Sequence, residues 1–282
     1  MTTEATAGRG LREISNENYV FLQKWVHQAS GIVLDDGKKY LVDARLSPIV
    51  REEGLDSLDD LCNLLRATRG AALEGKVVDA ITTNETLFFR DVAPFDALRS
   101  VVLPELLERN AATRTLRFWS AAASSGQEAY SIAMMLLDMG LSSWKIEICG
   151  TDISEQVLER ARAGRYLQIE VNRGLPAKFL VRYFDRAGLD WQIKPEVRRL
   201  VRFEKRDLRD DLRGLGPYDV VFCRNVLIYF DIETKKKILA GIRGCMSPNA
   251  YLSLGAAETT FGLDERFLRK PLNGAVFYQR GA

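Results

Sequence analysis

Histidine is almost missing from this chain: His27 is the single one in 282 residues. That removes most histidine chemistry: multi-histidine metal sites are excluded, and any Ser-His-Asp triad would have to use His27. Cysteines are few and scattered, at Cys62, Cys149, Cys223 and Cys245, with no C-x-x-C spacing. Neither a zinc site nor a disulfide framework is expected, and no metal is. Long apolar runs are also absent. Runs such as Val220 to Cys223 are far below the roughly 20 residues that span a bilayer. Met1 to Gly10 is polar and carries no signal-peptide apolar region, so a cytoplasmic protein without membrane insertion is expected. Charge of one sign is lacking too. A net charge of +2 argues against a nucleic-acid footprint. Finally, there is neither a G-x-G-x-x-G fingerprint nor a Walker A loop, the usual phosphate cradles.

What is present is globular: 46% hydrophobic and 28% charged residues. The length suits one large domain or two modest ones. Residues 1–13 have a tail composition. From Ser15 to about Thr83 the pattern is helical. Tyr19, Leu22, Val26 and Ala29 share one face, and Gly31 follows as a cap. Val42, Leu46, Ile49 and Val50 mark a second helix. Ser47-Pro48 either kinks it or starts a new one. Ser57 opens a third, and Leu73 to Ala80 forms a fourth. Residues 1–80 therefore predict an all-α domain.

Residues 81–282 read differently, with strands alternating with helices. Strands are expected at Thr115–Ser120, Lys145–Gly150, Tyr218–Cys223 and Ala250–Gly255. Helices are expected at about Gly126–Met139, Ser154–Ala163 and Ile232–Met246. Phe267–Gln279 reads as two strands joined at Asn273-Gly274, a favoured hairpin turn. Alternating β and α predicts a doubly wound, mostly parallel sheet. Closure by an antiparallel last strand is typical of S-adenosylmethionine-dependent methyltransferases. A small β insertion is expected at about 186–203, leading into a core strand that ends near Phe203, with Pro195 restricting one strand to an edge or bend.

The loop Ala121-Ala122-Ala123-Ser124-Ser125-Gly126 leaves the first strand and enters a helix. Small residues let a ligand lie against the backbone, and the shortage of glycine favours one without phosphate. Asp152 follows the next strand, where a carboxylate either accepts both ribose hydroxyls or caps the following helix. Asp207 either faces an adenine edge or is a surface charge among Arg206, Arg209, Asp210 and Asp211. Thr82–Arg90 by composition is a helix start with a buried aromatic pair.

Taken together, these stretches resemble the chemotaxis receptor methyltransferase (CheR) family. The matching segments are TTNETLFFR (Thr82–Arg90), WSAAASSGQEAYS (Trp119–Ser131), GTDIS (Gly150–Ser154), YDVVFCRNVLIYFD (Tyr218–Asp231) and YLSLGAAE (Tyr251–Glu258), with KKYLVDARLSPIV (Lys38–Val50) in the helical part. The resemblance implies methyl transfer from S-adenosylmethionine to glutamate side chains in the cytoplasmic helical region of chemoreceptors, by a monomer. It implies cofactor contacts at Asn84, Thr86, Arg90, Ala122, Glu128, Asp152, Asp207, Leu208, Cys223, Arg224 and Asn225. Arg90 and Tyr229 would lie nearest the transferred methyl, and the β insertion would tether the receptor. Four places depart from the family's usual pattern: Gln127, Ala129, Asp207 and Ala256-Ala257.

The chemistry suits a chain so poor in histidine. A glutamate carboxylate with a pKa of about 4.3 is already an anion at neutral pH, so no general base is needed. The protein's task is alignment and partial desolvation. Arg90 would hold either the acceptor or the methionine carboxylate; Tyr229 would either bond the acceptor or line the sulfonium side. Lys38, Lys39, Arg45 and Arg51 do not share a helical face and are interleaved with acids, so a solvated mixed-charge surface is expected there. Two rivals remain at this level: a same-fold methyltransferase with another acceptor, and a signalling protein that binds the cofactor without turnover.

Overall fold

The computed structural model describes residues 13–67 and 70–281. The tail read for residues 1–13 falls, except for Glu13, outside the described residues. The chain divides into two compact units after Thr83.

The first unit is helical. Ser15 caps α1 (Asn16–Ser30) by accepting a hydrogen bond from the Asn18 N–H, and Gly31 ends it in the left-handed region at φ 76°. Three more helices follow: α2 (Lys39–Glu52), α3 (Leu58–Ala67) and α4 (Ala71–Ile81). The helix does not restart at Ser47-Pro48. It runs through Pro48, and the Ser47 hydroxyl bonds back to the Asp43 carbonyl one turn earlier instead of capping a new helix. Leu22, Val26, Val42, Leu46, Leu61 and Val77 meet in one core.

Among its described residues the second unit carries ten strands: β1 (Thr115–Ser120), β2 (Lys145–Asp152), β3 (Arg165–Leu167), β4 (Phe184–Ala187), β5 (Asp190–Ile193), β6 (Val201–Lys205), β7 (Tyr218–Cys223), β8 (Met246–Leu254), β9 (Phe267–Leu272) and β10 (Ala275–Arg280). Seven form one sheet in the order β6-β2-β1-β7-β8-β10-β9. Pairing is parallel from β6 through β8, and β10 is antiparallel to both its neighbours. Asn273 and Gly274, both at positive φ, make the tight turn before β10. The central strands are buried on both faces, as parallel strands under helices must be. Side chains alternate: Phe118, Val220 and Phe222 enter one core, while Trp119, Val221 and Cys223 enter the other. The four cysteines are buried and unbridged. Among the described residues no helix is long and apolar enough to cross a membrane.

The β insertion differs from its expected span. It is a three-stranded sheet in the order β3-β5-β4, so it draws in Arg165–Leu167 from well before residue 186. The stretch around Pro195, expected as an edge or bent strand, is not strand. Pro195–Arg198 is a short helix with Pro195 in its first turn, where a missing N–H costs nothing. Val201–Lys205 belongs to the main sheet, as the expected core strand ending near Phe203.

One glycine locks β2 against β6. A Cβ on Gly150 would lie 2.6 Å from two ring atoms of Phe203 and 3.1 Å from the Ala123 Cβ. Gly150→Ala is therefore expected to cost about 1–3 kcal/mol, as overpacking does. Urea denaturation of the full chain checks this; an unchanged midpoint would contradict the packing.

Candidate active site

The loops after β1, β2, β6, β7 and β8 all leave the carboxyl edge of the sheet. Strand order reverses between β1 and β7, the place where open α/β sheets hold ligands.

The loop after β1 is fastened from several sides. Ser124 sits at φ 48°, its N–H donating to Asp152 Oδ2 at 2.9 Å and its hydroxyl to the Asn84 carbonyl at 2.8 Å. Tyr166 of β3 donates its hydroxyl to the Ser125 carbonyl at 2.6 Å. Asp152 is buried at the end of β2, and its other oxygen accepts the Ser154 N–H at 3.0 Å. Ser154, not Asp152, caps the next helix, through the Val157 N–H. Asp152 thus joins two loops at the sheet edge, and a carboxylate accepts about four hydrogen bonds.

An ion-pair cluster, buried at Arg224 and Glu128 and exposed at Asp91, joins three segments. Arg224, at the end of β7, donates from Nη1 to Glu128 Oε2 at 3.1 Å, and from Nη2 to Asp91 Oδ2 at 2.6 Å and the Arg90 carbonyl at 3.0 Å. The Ser120 hydroxyl donates to Glu128 Oε1 at 2.7 Å. The side chain of Arg224 is only 2% exposed. Burial pushes the Glu128 carboxyl above its ordinary value; the Arg224 charge, hydrogen bonds from Ser120 and Arg224, and the Arg90 charge pull the other way. Arg90 itself donates to the Glu85 carbonyl at 3.0 Å.

Thr82–Arg90 is not a helix start. Asn84 to Phe88 is irregular, and Phe89, Asp91 and Val92 all have positive φ, a costly run that the surroundings must hold. The hold is visible. Phe88 packs edge-on against Tyr166 and Phe184, Phe89 stacks on Phe179, and the Phe89 N–H donates to the Ser131 hydroxyl at 2.9 Å. The aromatic pair is buried as expected. Thr86 and Ala122 are half-buried, as are Asn225 and Tyr229 in the loop after β7, while Cys223 is fully buried.

Asp207 does not join these groups through its carboxylate. It forms a two-oxygen ion pair with Arg209, two residues on, and accepts the Arg209 N–H at 2.8 Å. Leu208 is buried in the core beneath. Sequence reasoning missed Ser120, Asp91, Ser131 and Glu258. Glu258 accepts backbone N–H bonds from the loop after β7. Ser120 and Ser131 lie inside or beside the small-residue stretch, and Glu258 follows a strand end. Asp91 had no signal beyond adjacency to Arg90.

Among the described residues no acid, cysteine and histidine cluster could hold a metal ion. The residues present do fit a sulfonium nucleoside with an amino-acid arm. Asp152 offers acceptors, the Ala122 side of the loop carries nothing beyond a methyl, and the buried Arg224 Nε has no partner among the described residues.

A seven-stranded sheet of this order, with its last strand reversed and its loops converging at the switch point, defines the S-adenosylmethionine-dependent methyltransferase class. The description "CheR methyltransferase, SAM binding domain" matches residues 84–274, and "CheR methyltransferase, all-alpha domain" matches residues 17–82. The chain belongs to the CheR methyltransferase family. It is 41% identical over 271 residues to the chemotaxis protein methyltransferase 1 of Pseudomonas aeruginosa, covering 94% of this chain and 98% of that protein. It is 42% identical over 272 residues to the chemotaxis protein methyltransferase of Vibrio parahaemolyticus, with the same coverage of 94% and 98%. A third relative, the chemotaxis protein methyltransferase of Borreliella burgdorferi, is 34% identical over 256 residues, or 88% and 90% of the two chains.

Proposed function

We propose that this protein methylates glutamate side chains in the cytoplasmic helical region of chemoreceptors, using S-adenosylmethionine. The observation that carries the reading is the buried Arg224 cluster. It brings the Asn84–Asp91 segment, the helix after β1 and the end of β7 to one edge of the sheet.

The bound donor supplies an electrophilic methyl whose departure leaves a neutral thioether. Asp152 holds the ribose hydroxyls; Glu128, Arg224 and Asn84 surround the amino-acid arm; Ala122, Cys223 and Asn225 line the way between. Thr86 and Leu208 complete the nucleoside side. Asp207 stays with Arg209 and acts through the turn it fixes rather than through a free carboxylate. Arg90 and Tyr229 stand nearest the acceptor. A guanidinium there would orient an incoming carboxylate, which arrives ionised and needs no base. Excluding water strips part of its hydration and raises its nucleophilicity.

Receptor-bearing membranes incubated with methyl-labelled donor should take up label. Mild base should release that label, as it does from a carboxylic ester. Uptake that resists base would assign nitrogen as the acceptor. Tight cofactor binding with no uptake would assign a sensor without turnover. Either result contradicts the proposal.

A further inference from the structure

The loop after β7 carries Asn225 and Tyr229, and the chain turns sharply at its start. Asn225 sits at φ 59°, the left-handed region. Four backbone N–H groups around it point at one carboxylate. Glu258 Oε2 accepts from Asn225 at 2.8 Å and Gly255 at 2.7 Å; Oε1 accepts from Val226 at 2.8 Å and Ile228 at 3.3 Å. Successive N–H groups in such a turn make an anion-binding concavity, and charge-assisted bonds are about twice as strong as neutral ones. Here the anion is built into the chain. Its own N–H donates to the Gly255 carbonyl at 2.9 Å, closing the turn after β8.

Gly255 reports how tightly the two loops fit. A Cβ there would lie 2.7 Å from Glu258 Oε2 and from Asn225 Nδ2, and 2.9 Å from the Asn225 nitrogen. Any side chain at 255 would push the carboxylate or Asn225 aside.

We propose that Glu258 is the positioning residue of the methyl-transfer site: it fixes the Asn225–Tyr229 loop by holding three of its N–H groups together with that of Gly255. This rests on the function proposed above only in giving that loop to cofactor and acceptor. The role demands both oxygens. In Glu258→Gln one oxygen becomes an amide NH₂ facing two N–H donors, whichever way the amide turns. Glu258→Asp keeps the charge and both acceptors but is one methylene shorter.

The test measures methyl transfer and S-adenosylhomocysteine binding on the full-length wild type and variants, with turnover expressed per titrated binding site. Glu258→Gln should lower kcat per site by about 100-fold, the scale set by ångström-level misplacement. The dissociation constant for S-adenosylhomocysteine should rise several-fold, and Glu258→Asp should recover part of both. A merely structural role would reduce the number of binding sites and leave kcat and affinity per site unchanged; that result overturns the inference. Should Glu258→Gln not fold, Gly255→Ala displaces the same carboxylate and should give the same losses per site. If wild type binds S-adenosylhomocysteine but transfers no methyl, the proposed function fails. The affinity change still tests the clamp separately.

Discussion

Replacing Arg224 by methionine lowers stability by about 3–5 kcal/mol and abolishes methyl transfer. The cause is desolvation. Arg224 is buried with Glu128, and removing it leaves that carboxylate with Ser120 as its remaining direct partner in the cluster. It also releases the Phe89–Val92 turn, whose positive φ angles at Phe89, Asp91 and Val92 cost free energy that the guanidinium contacts to Arg90 and Asp91 offset. Lysine should not rescue, because a point charge cannot reproduce a fork that spans Glu128, Asp91 and a carbonyl.

The pH dependence has a definite sign. Glu128 in the folded state titrates above its ordinary value of 4.5, because burial outweighs its partners. Between 4.5 and the raised value the folded protein binds more protons than the unfolded one. Stability from this group therefore falls as pH rises through that window. In Arg224→Met the leading opposing charge is gone, the value climbs further, and the fall extends to higher pH. Urea denaturation of wild type and variant at a series of pH values from 4.5 upward would read both effects. Equal midpoints at neutral pH would contradict the cluster.

Asp152→Ala should weaken S-adenosylhomocysteine binding by about 100-fold or more. Two hydrogen bonds to a charged acceptor contribute about 1.5–3 kcal/mol each, and 1.4 kcal/mol is a factor of ten. The side chain also anchors Ser124 and Ser154, so the loop after β1 loosens in the same variant. Asp152→Asn separates the two contributions. It keeps one acceptor oxygen while its NH₂ faces a backbone donor, so it should bind with intermediate affinity. Calorimetric titration gives the numbers; wild-type affinity in Asp152→Ala would remove the ribose role.

Periodicity made most of the frame legible. β1 and β7 fall at their expected residues because each is a six-residue segment rich in aromatic or β-branched side chains, too short for a helix of ordinary length and each followed by a loop and then a helical pattern. The hairpin at Asn273-Gly274 was legible because that dipeptide tolerates two positive φ angles. Three features resisted. β3 has three residues, too few for any period, and is held by pairing with a strand some 25 residues away (Arg165 to Asp190 for its ion pair). The Phe89–Val92 turn uses non-glycine residues at positive φ, which no local rule anticipates and which only tertiary contacts sustain. Asp207 stood among charges of both signs, and composition alone could not select Arg209 as its partner.

In the site, the small-residue loop and Asp152 were legible from position. The joining of Glu128 to Arg224 was not, because the two are 96 residues apart and meet only through the parallel pairing of β1 and β7. The same holds for Glu258, whose partners are supplied by a neighbouring strand's loop.

The measurement closest to the central claim is the position of the transferred methyl. Receptor labelled by this protein should be digested and its peptides mapped before and after mild base. The account predicts label on glutamate side chains of the helical cytoplasmic segment, lost with base. Label on lysine or arginine nitrogen, retained through base, would contradict it.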